Sequence, residues 1–164
     1  MPIDRAVIGT RTPDHTVEVE RGRLRFFALA TGQTDPGYLD PAAAEAAGRR
    51  DLPVPPTFFF CLEMENPHRG DLLAGLGVDP RTILHGGQSF EYHAMAYAGD
   101  RLTFTTEVTD VYAKKGGALE FIVRTTRVTR DGAPVATLTG TVVVRANSHD
   151  SNTPNNSNKG TAAA

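Results

Sequence analysis

Three side chains have the chemistry to move or orient a proton, and each stands beside residues that bend the backbone. Asp35 precedes Pro36 in the loop 31–38, Tyr38 ends that loop, and His85 stands before Gly86 and Gly87. A carboxylate accepts a proton, an imidazole accepts or donates one near neutral pH, and a phenol can orient water or donate to an oxyanion. Each also has a plain structural reading. Asp before Pro is a common turn residue, a tyrosine ring packs, and a strand histidine lies partly in solvent. Gly86 and Gly87 permit close approach of another backbone or of a ligand. Tyr92 and His93 alternate along the same segment, so at most one of them should face a pocket. Glu63 and Glu65 fall at the end of an apolar run and read as solvating it. Cys61 is the sole cysteine, so no internal disulfide forms, and among Phe58, Phe59, Phe60 and Leu62 it reads as a small buried hydrophobe. His15 and His68 sit in loop contexts and carry no signal.

Several chemistries are disfavoured by spacing. The sequence has no His-x-x-x-His, no cysteine pair and no compact acidic loop, so no metal site is expected. Gly86-Gly87 is not followed by Gly-Lys-Ser, and no serine lies in a Gly-x-Ser-x-Gly context. The 17 basic residues are spread among 19 acidic ones for a net charge of -2, which favours neither nucleic acid nor an anionic membrane as partner. No apolar run is long enough to span a bilayer. The start, Met1-Pro2-Ile3-Asp4-Arg5, lacks the apolar core of a signal peptide, so the expected compartment is the cytoplasm.

The elements that must position these residues follow from periodicity and punctuation. Leu24, Phe27 and Ala28 have the spacing of one helical face, and Gly32 supplies a stop. Asp40 can cap a second helix that opens on Pro41, runs through Ala42 to Ala47 and ends at Gly48. Leu52-Pro53-Val54-Pro55-Pro56 resists both helix and central strand. Residues 57–64 are apolar almost all round, which predicts a buried helix, and Pro67, Gly70, Gly75 and Gly77 then break the pattern. From Thr82 the texture becomes β. A strand is expected over 82–95, and Leu102, Phe104, Thr106 and Val108 alternate with their neighbours beyond the turn at Gly99-Asp100. Leu119, Phe121 and Val123 alternate with Glu120, Ile122 and Arg124, and Asp131-Gly132 marks a hairpin before the strand 133–146. The expectation is an α+β fold, an antiparallel sheet wrapped around one central buried helix, in a single domain over 1–147. The tail 148–164 carries no large apolar residue and is expected to be disordered.

Three segments carry a family resemblance. Asp51-Leu52-Pro53-Val54-Pro55-Pro56-Thr57-Phe58 resembles the Ala-Pro-Pro-Thr-Phe approach to the central helix of the N-terminal, FAS1-like dehydratase type of MaoC-like hydratases and dehydratases. Leu84-His85-Gly86-Gly87-Gln88-Ser89-Phe90, followed by Ala98-Gly99-Asp100, resembles that family's strand-turn-strand block, with Ala94-Met95 where Arg-Pro is usual. Thr31-Gly32-Gln33-Thr34-Asp35-Pro36-Gly37-Tyr38 lies where the catalytic loop would be. The resemblance covers about 17–144 and implies the hot-dog fold.

It also implies a chemistry. Catalytic members carry Gly-Asp-x-Asn-Pro-x-His, whose aspartate and histidine hold a water and move protons at an acyl thioester. Here Gln33 stands in place of the aspartate, Asp35 of the asparagine and Tyr38 of the histidine, so the loop is expected to be silent. The resemblance then implies a subunit of a (3R)-hydroxyacyl hydratase/dehydratase that needs no cofactor. Its substrate would be acyl-CoA or an acyl group on acyl carrier protein, bound near Gln33, Pro56, Thr57, Gly86 and Gly87. Amides at the start of the central helix would polarise the thioester carbonyl. A homo- or heterodimer with another hot-dog chain is expected, the partner supplying the acid/base pair. The alternatives are an independently active homodimeric hydratase or thioesterase using Asp35, His85 or a glutamate near the central helix, and a non-catalytic acyl-thioester-binding subunit.

Overall fold

The computed structural model describes residues 3–145; the tail expected from 148 lies outside them. Five strands form one antiparallel sheet: β1 (His15–Glu18), β2 (Ile83–Tyr92), β3 (Arg101–Lys114), β4 (Leu119–Arg130) and β5 (Ala133–Arg145), in the order β1-β3-β4-β5-β2. Four α-helices accompany it: α1 (Arg21–Ala30), α2 (Pro41–Ala46), α3 (Phe58–Glu63) and α4 (Asp71–Gly75). The sheet curves around α3, the hot-dog arrangement that the resemblance implies.

The helix boundaries have local causes. Gly32 follows α1 with φ +75°, and Gly48 follows α2 at the same angle. Both are backbone conformations that disfavour a side chain and end a helix. The Asp40 carboxylate accepts the Ala42 N–H at 3.0 Å, with Pro41 in the first turn. Leu24 and Ala28 are the buried residues of α1, as their spacing predicts. Phe58, Phe59 and Leu62 of α3 are buried against Leu24, Leu52, Leu102, Phe104, Val128 and Leu138 in the main core. A smaller apolar cluster forms around Val108, Val111, Ile122, Val142 and Val144, with Leu72, Leu73 and Leu76 of α4 packed against it.

Four sequence readings are corrected. His15 is not in a loop; it opens β1, pairing with Phe104, in a strand too short for alternation to announce it. The glycines after Pro67 do not exclude helix, because α4 forms between Gly70 and Gly77. In β4 the buried residues are Glu120, Ile122, Thr126 and Val128, while Leu119, Phe121 and Val123 lie half-exposed on the other face. Four-residue apolar alternation cannot fix which face is inward when both carry large side chains. Tyr97 to Asp100 is more than a turn. The Asp100 carboxylate is 5% exposed and accepts from the Tyr97 N–H at 2.9 Å, from Arg130 at 2.7 Å and from Arg50.

Candidate functional site

The loop 31–38 is closed on itself. The Gln33 Oε1 accepts the N–H groups of Thr34 and Asp35, both at 3.0 Å. The Asp35 Oδ1 accepts the Gly37 N–H at 2.8 Å, and its Oδ2 lies 3.6 Å from Arg49. The Arg49 guanidinium also sits over the Tyr38 ring, 5.1 Å from its centroid. Gly37 is buried under that guanidinium, which a Cβ there would meet at 2.6 Å. Gln33 and Asp35 thus hold the shape of the loop, and Arg49 covers the Tyr38 ring.

Of the sequence candidates, Tyr38 and Pro56 line one cavity and His85 another, whereas Gln33, Asp35, Thr57, Gly86 and Gly87 line neither. The first has a volume of about 440 Å³ and is lined also by Val54, Phe59 and Met95. Tyr92 and His93 both line it, contrary to the alternation argument, because β2 ends at Tyr92 and the backbone bends there. The His93 Nε2 is 2.9 Å from the Thr137 hydroxyl. Thr57 is exposed at the start of α3 and makes no side-chain cap. The N–H groups of Phe58 and Phe60 donate to the carbonyls of Pro55 and Thr57 at 2.9 and 3.1 Å. Those two amides are therefore already engaged, short of the expectation of free donors at this helix start.

His85 lines the other cavity, of about 700 Å³, within the range of small-molecule sites. Its walls are Phe60 of α3, Leu73 and Ala74 of α4, Val78, Ile83, Leu84 and Val142. The His85 ring meets Phe60 edge-on at 5.4 Å. His85 and Gln88 share this cavity although their odd separation would place them on opposite faces of a regular strand. A β-bulge between His85 and Gly87 shifts the phase: His85 pairs with Val142 and Gln88 with Gly140. Gly86 is the bulged residue, and a Cβ there would meet the Val143 Cγ2 at 2.6 Å and the Thr141 carbonyl at 3.1 Å. Gly87 has open space instead.

Three residues that the sequence reading missed form the floor of this cavity. Gln88 lies against Gly140, whose missing side chain makes room for the amide: a Cβ would meet the Gln88 Oε1 at 2.9 Å. Arg124 lies next to Gly140 on β4. Burial is the main influence on the Arg124 guanidinium and lowers its pKa, against the support of Glu63. Behind it Glu63 accepts the Thr126 hydroxyl at 2.5 Å, and Thr126 meets the Thr106 hydroxyl at 2.8 Å. Glu63 therefore does not solvate the helix end; it is the inward carboxylate of α3. Glu65 pairs with Arg23 at 2.6 Å. Cys61 is half-buried, and that burial pushes its thiol pKa up, consistent with a packing role. The charge of Arg124 hid it, since an alternation reading assigns charged residues to solvent, and Glu63 was read chiefly as solvating the helix end.

Comparison with known proteins agrees with this architecture. The family model described as FAS1-like, dehydratase domain region, matches residues 6–138. A UPF0336 protein of Saccharopolyspora erythraea is 38% identical over 152 residues, covering 92% of this chain and 96% of the relative. Among solved structures, the HadBC (3R-hydroxyacyl-ACP dehydratase) complex of Mycobacterium tuberculosis superimposes with TM-score 0.74 at 24% identity, over 87% of this chain and 99% of that one. A MaoC-like dehydratase superimposes with TM-score 0.75 at 29% identity, over 87% of this chain but only 43% of that one. The chain belongs to the FAS1-like dehydratase domain family, with the MaoC-like hot-dog fold.

Proposed function

We propose that this chain is the acyl-binding half of a (3R)-hydroxyacyl-thioester hydratase/dehydratase whose acid/base pair comes from a second, MaoC-type hot-dog chain. The observation that carries this reading is the closed loop 31–38, in which Gln33, Asp35 and Tyr38 are engaged by local donors and by Arg49. Water addition across an enoyl thioester places hydroxyl on the β carbon and a proton on the α carbon. It needs one group to take the proton from water and one to deliver a proton to carbon. A glutamine supplies neither, and the Asp35 carboxylate is turned onto the Gly37 N–H and toward Arg49 rather than into either cavity. What this chain offers is the apolar cavity beside α3, which can exclude water from an acyl chain.

Two comparisons support a second chain. The related MaoC-like dehydratase is more than twice the length of the region matched here, and HadBC is a complex of chains. The end strand β2 is ten residues long and, among the described residues, is paired only on its β5 side, leaving a sheet edge that a second hot-dog chain can cover. The substrate is an acyl thioester of CoA or of acyl carrier protein.

A second reading, independent activity through His85, rests on the bulge that turns this imidazole into the cavity. One assay separates the two. The purified chain, alone and mixed with a MaoC-type partner, is given crotonyl-CoA and a longer trans-2-enoyl-CoA. Activity in the mixture only, unchanged within about twofold by Asp35→Asn, is the expected result. Activity of the chain alone, lost in His85→Ala, would overturn the partner-dependent reading.

A further inference from the structure

The 700 Å³ cavity is apolar in its walls but not in its floor. On the inner face of the sheet Arg124 of β4, Gly140 of β5 and Gln88 of β2 lie in one row. The Arg124 Nε and the Gln88 Nε2 are both buried without a hydrogen-bond partner. Arg124 makes one long contact, from its Nη1 to the Arg69 carbonyl at 3.5 Å. Arg69 lines the same cavity, and its guanidinium meets only the Met64 sulfur at 3.9 Å. Among the described residues no carboxylate lies within 4.0 Å of either guanidinium. Glu63, the nearest acidic influence on Arg124, is engaged by Thr126. Two guanidiniums therefore face this space against one occupied carboxylate.

An unpaired cation and an unpaired amide donor under an apolar cavity are costly unless a ligand completes them. The phosphates of a CoA are heavily solvated and suit the exposed Arg69, near the cavity's outer part. Arg124, half-buried in the middle of the sheet, suits a group carried inward by an acyl chain. We infer, on the basis of the acyl-binding reading above, that the cavity selects acyl thioesters whose chain bears a carboxylate at its far end. Arg124 receives that carboxylate and Gln88 donates a second hydrogen bond to it. Gly140 leaves the Gln88 amide the room to reach it.

The test is calorimetric binding of two CoA thioesters of equal chain length to the purified chain, octanoyl-CoA and the monothioester of octanedioic acid. The ω-carboxylated compound should bind on the order of 10-fold more tightly. Arg124→Met should abolish the difference by weakening the ω-carboxylated compound far more than octanoyl-CoA, and Arg124→Lys should keep part of it. Thermal melting checks that the variants fold, and Gln88→Leu, which changes no charge, should lose part of the preference. Equal affinity of wild type for both thioesters would overturn the inference and leave the acyl-binding reading standing. An equal loss for both in Arg124→Met would also overturn it, because it would place Arg124 on the common CoA part. Binding of neither would overturn the acyl-binding reading and this inference with it.

Discussion

At the scale of single residues, Gly86 shows how one backbone position sets the chemistry of a cavity. It is the extra residue of the β2 bulge, and close approach to β5 leaves no room for a methyl group. Gly86→Ala is expected to destabilise the fold by about 1–3 kcal/mol through overpacking against Val143 and Thr141. A lowered denaturation midpoint should be accompanied by a changed His85 imidazole resonance; an unchanged resonance would mean the bulge does not set that ring. The His-Gly-Gly-Gln spelling was legible in the sequence, but the consequence of its bulge was not. Period-two alternation has no way to signal an inserted residue, so His85 was found while its cavity partner Gln88 was missed. The loop of Gln33, Asp35 and Tyr38 was legible from the resemblance, but not that Gln33 and Asp35 accept N–H groups of the loop itself.

At the scale of elements, Asp100 fastens three parts of the chain together. It stands just before β3, accepts from Arg130 at the end of β4, and reaches Arg50 ahead of α3. Burial opposes its ionisation, but hydrogen bonds from Arg50, the Tyr97 N–H and Arg130 outweigh that and hold its pKa below the ordinary carboxylate value. A depressed folded-state pKa stabilises the fold fully above the unfolded value of about 3.9, and that contribution is lost as pH falls through the folded value. Acid titration of stability should therefore show a loss below about pH 4 that is smaller in Asp100→Asn. At neutral pH the same substitution should cost about 3 kcal/mol, because it leaves a buried amide facing two guanidiniums. Equal acid sensitivity in both proteins would assign the loss to other carboxylates. Helices α1 and α2 were legible because a cap and glycine stops are local chemistry, whereas α4, set between glycines, was not. The inward face of β4 was not, because Glu120 and Arg124 take positions that a sequence reading gives to apolar neighbours.

At the scale of the whole molecule, the sheet offers its two edges very differently. β1 is four residues long, with the preceding chain also bonding to β3, as in the Gly9 N–H to Val108 carbonyl at 2.8 Å. β2 is ten residues long and forms the opposite edge. Under the proposed pairing, amide hydrogen exchange in β2 should slow when a MaoC-type partner is added, and β1 should not change. Exchange in β2 that ignores the partner would place the contact elsewhere. The α+β class and strand succession were legible from the sequence, whereas this asymmetry was not, because β1 carries too few residues to announce itself. A protomer with one long free edge has a valence of one. It can join a single neighbour and is then saturated, so growth stops at two bodies. A substitution that extended β1 would raise the valence to two and open a route to endless strand-by-strand addition.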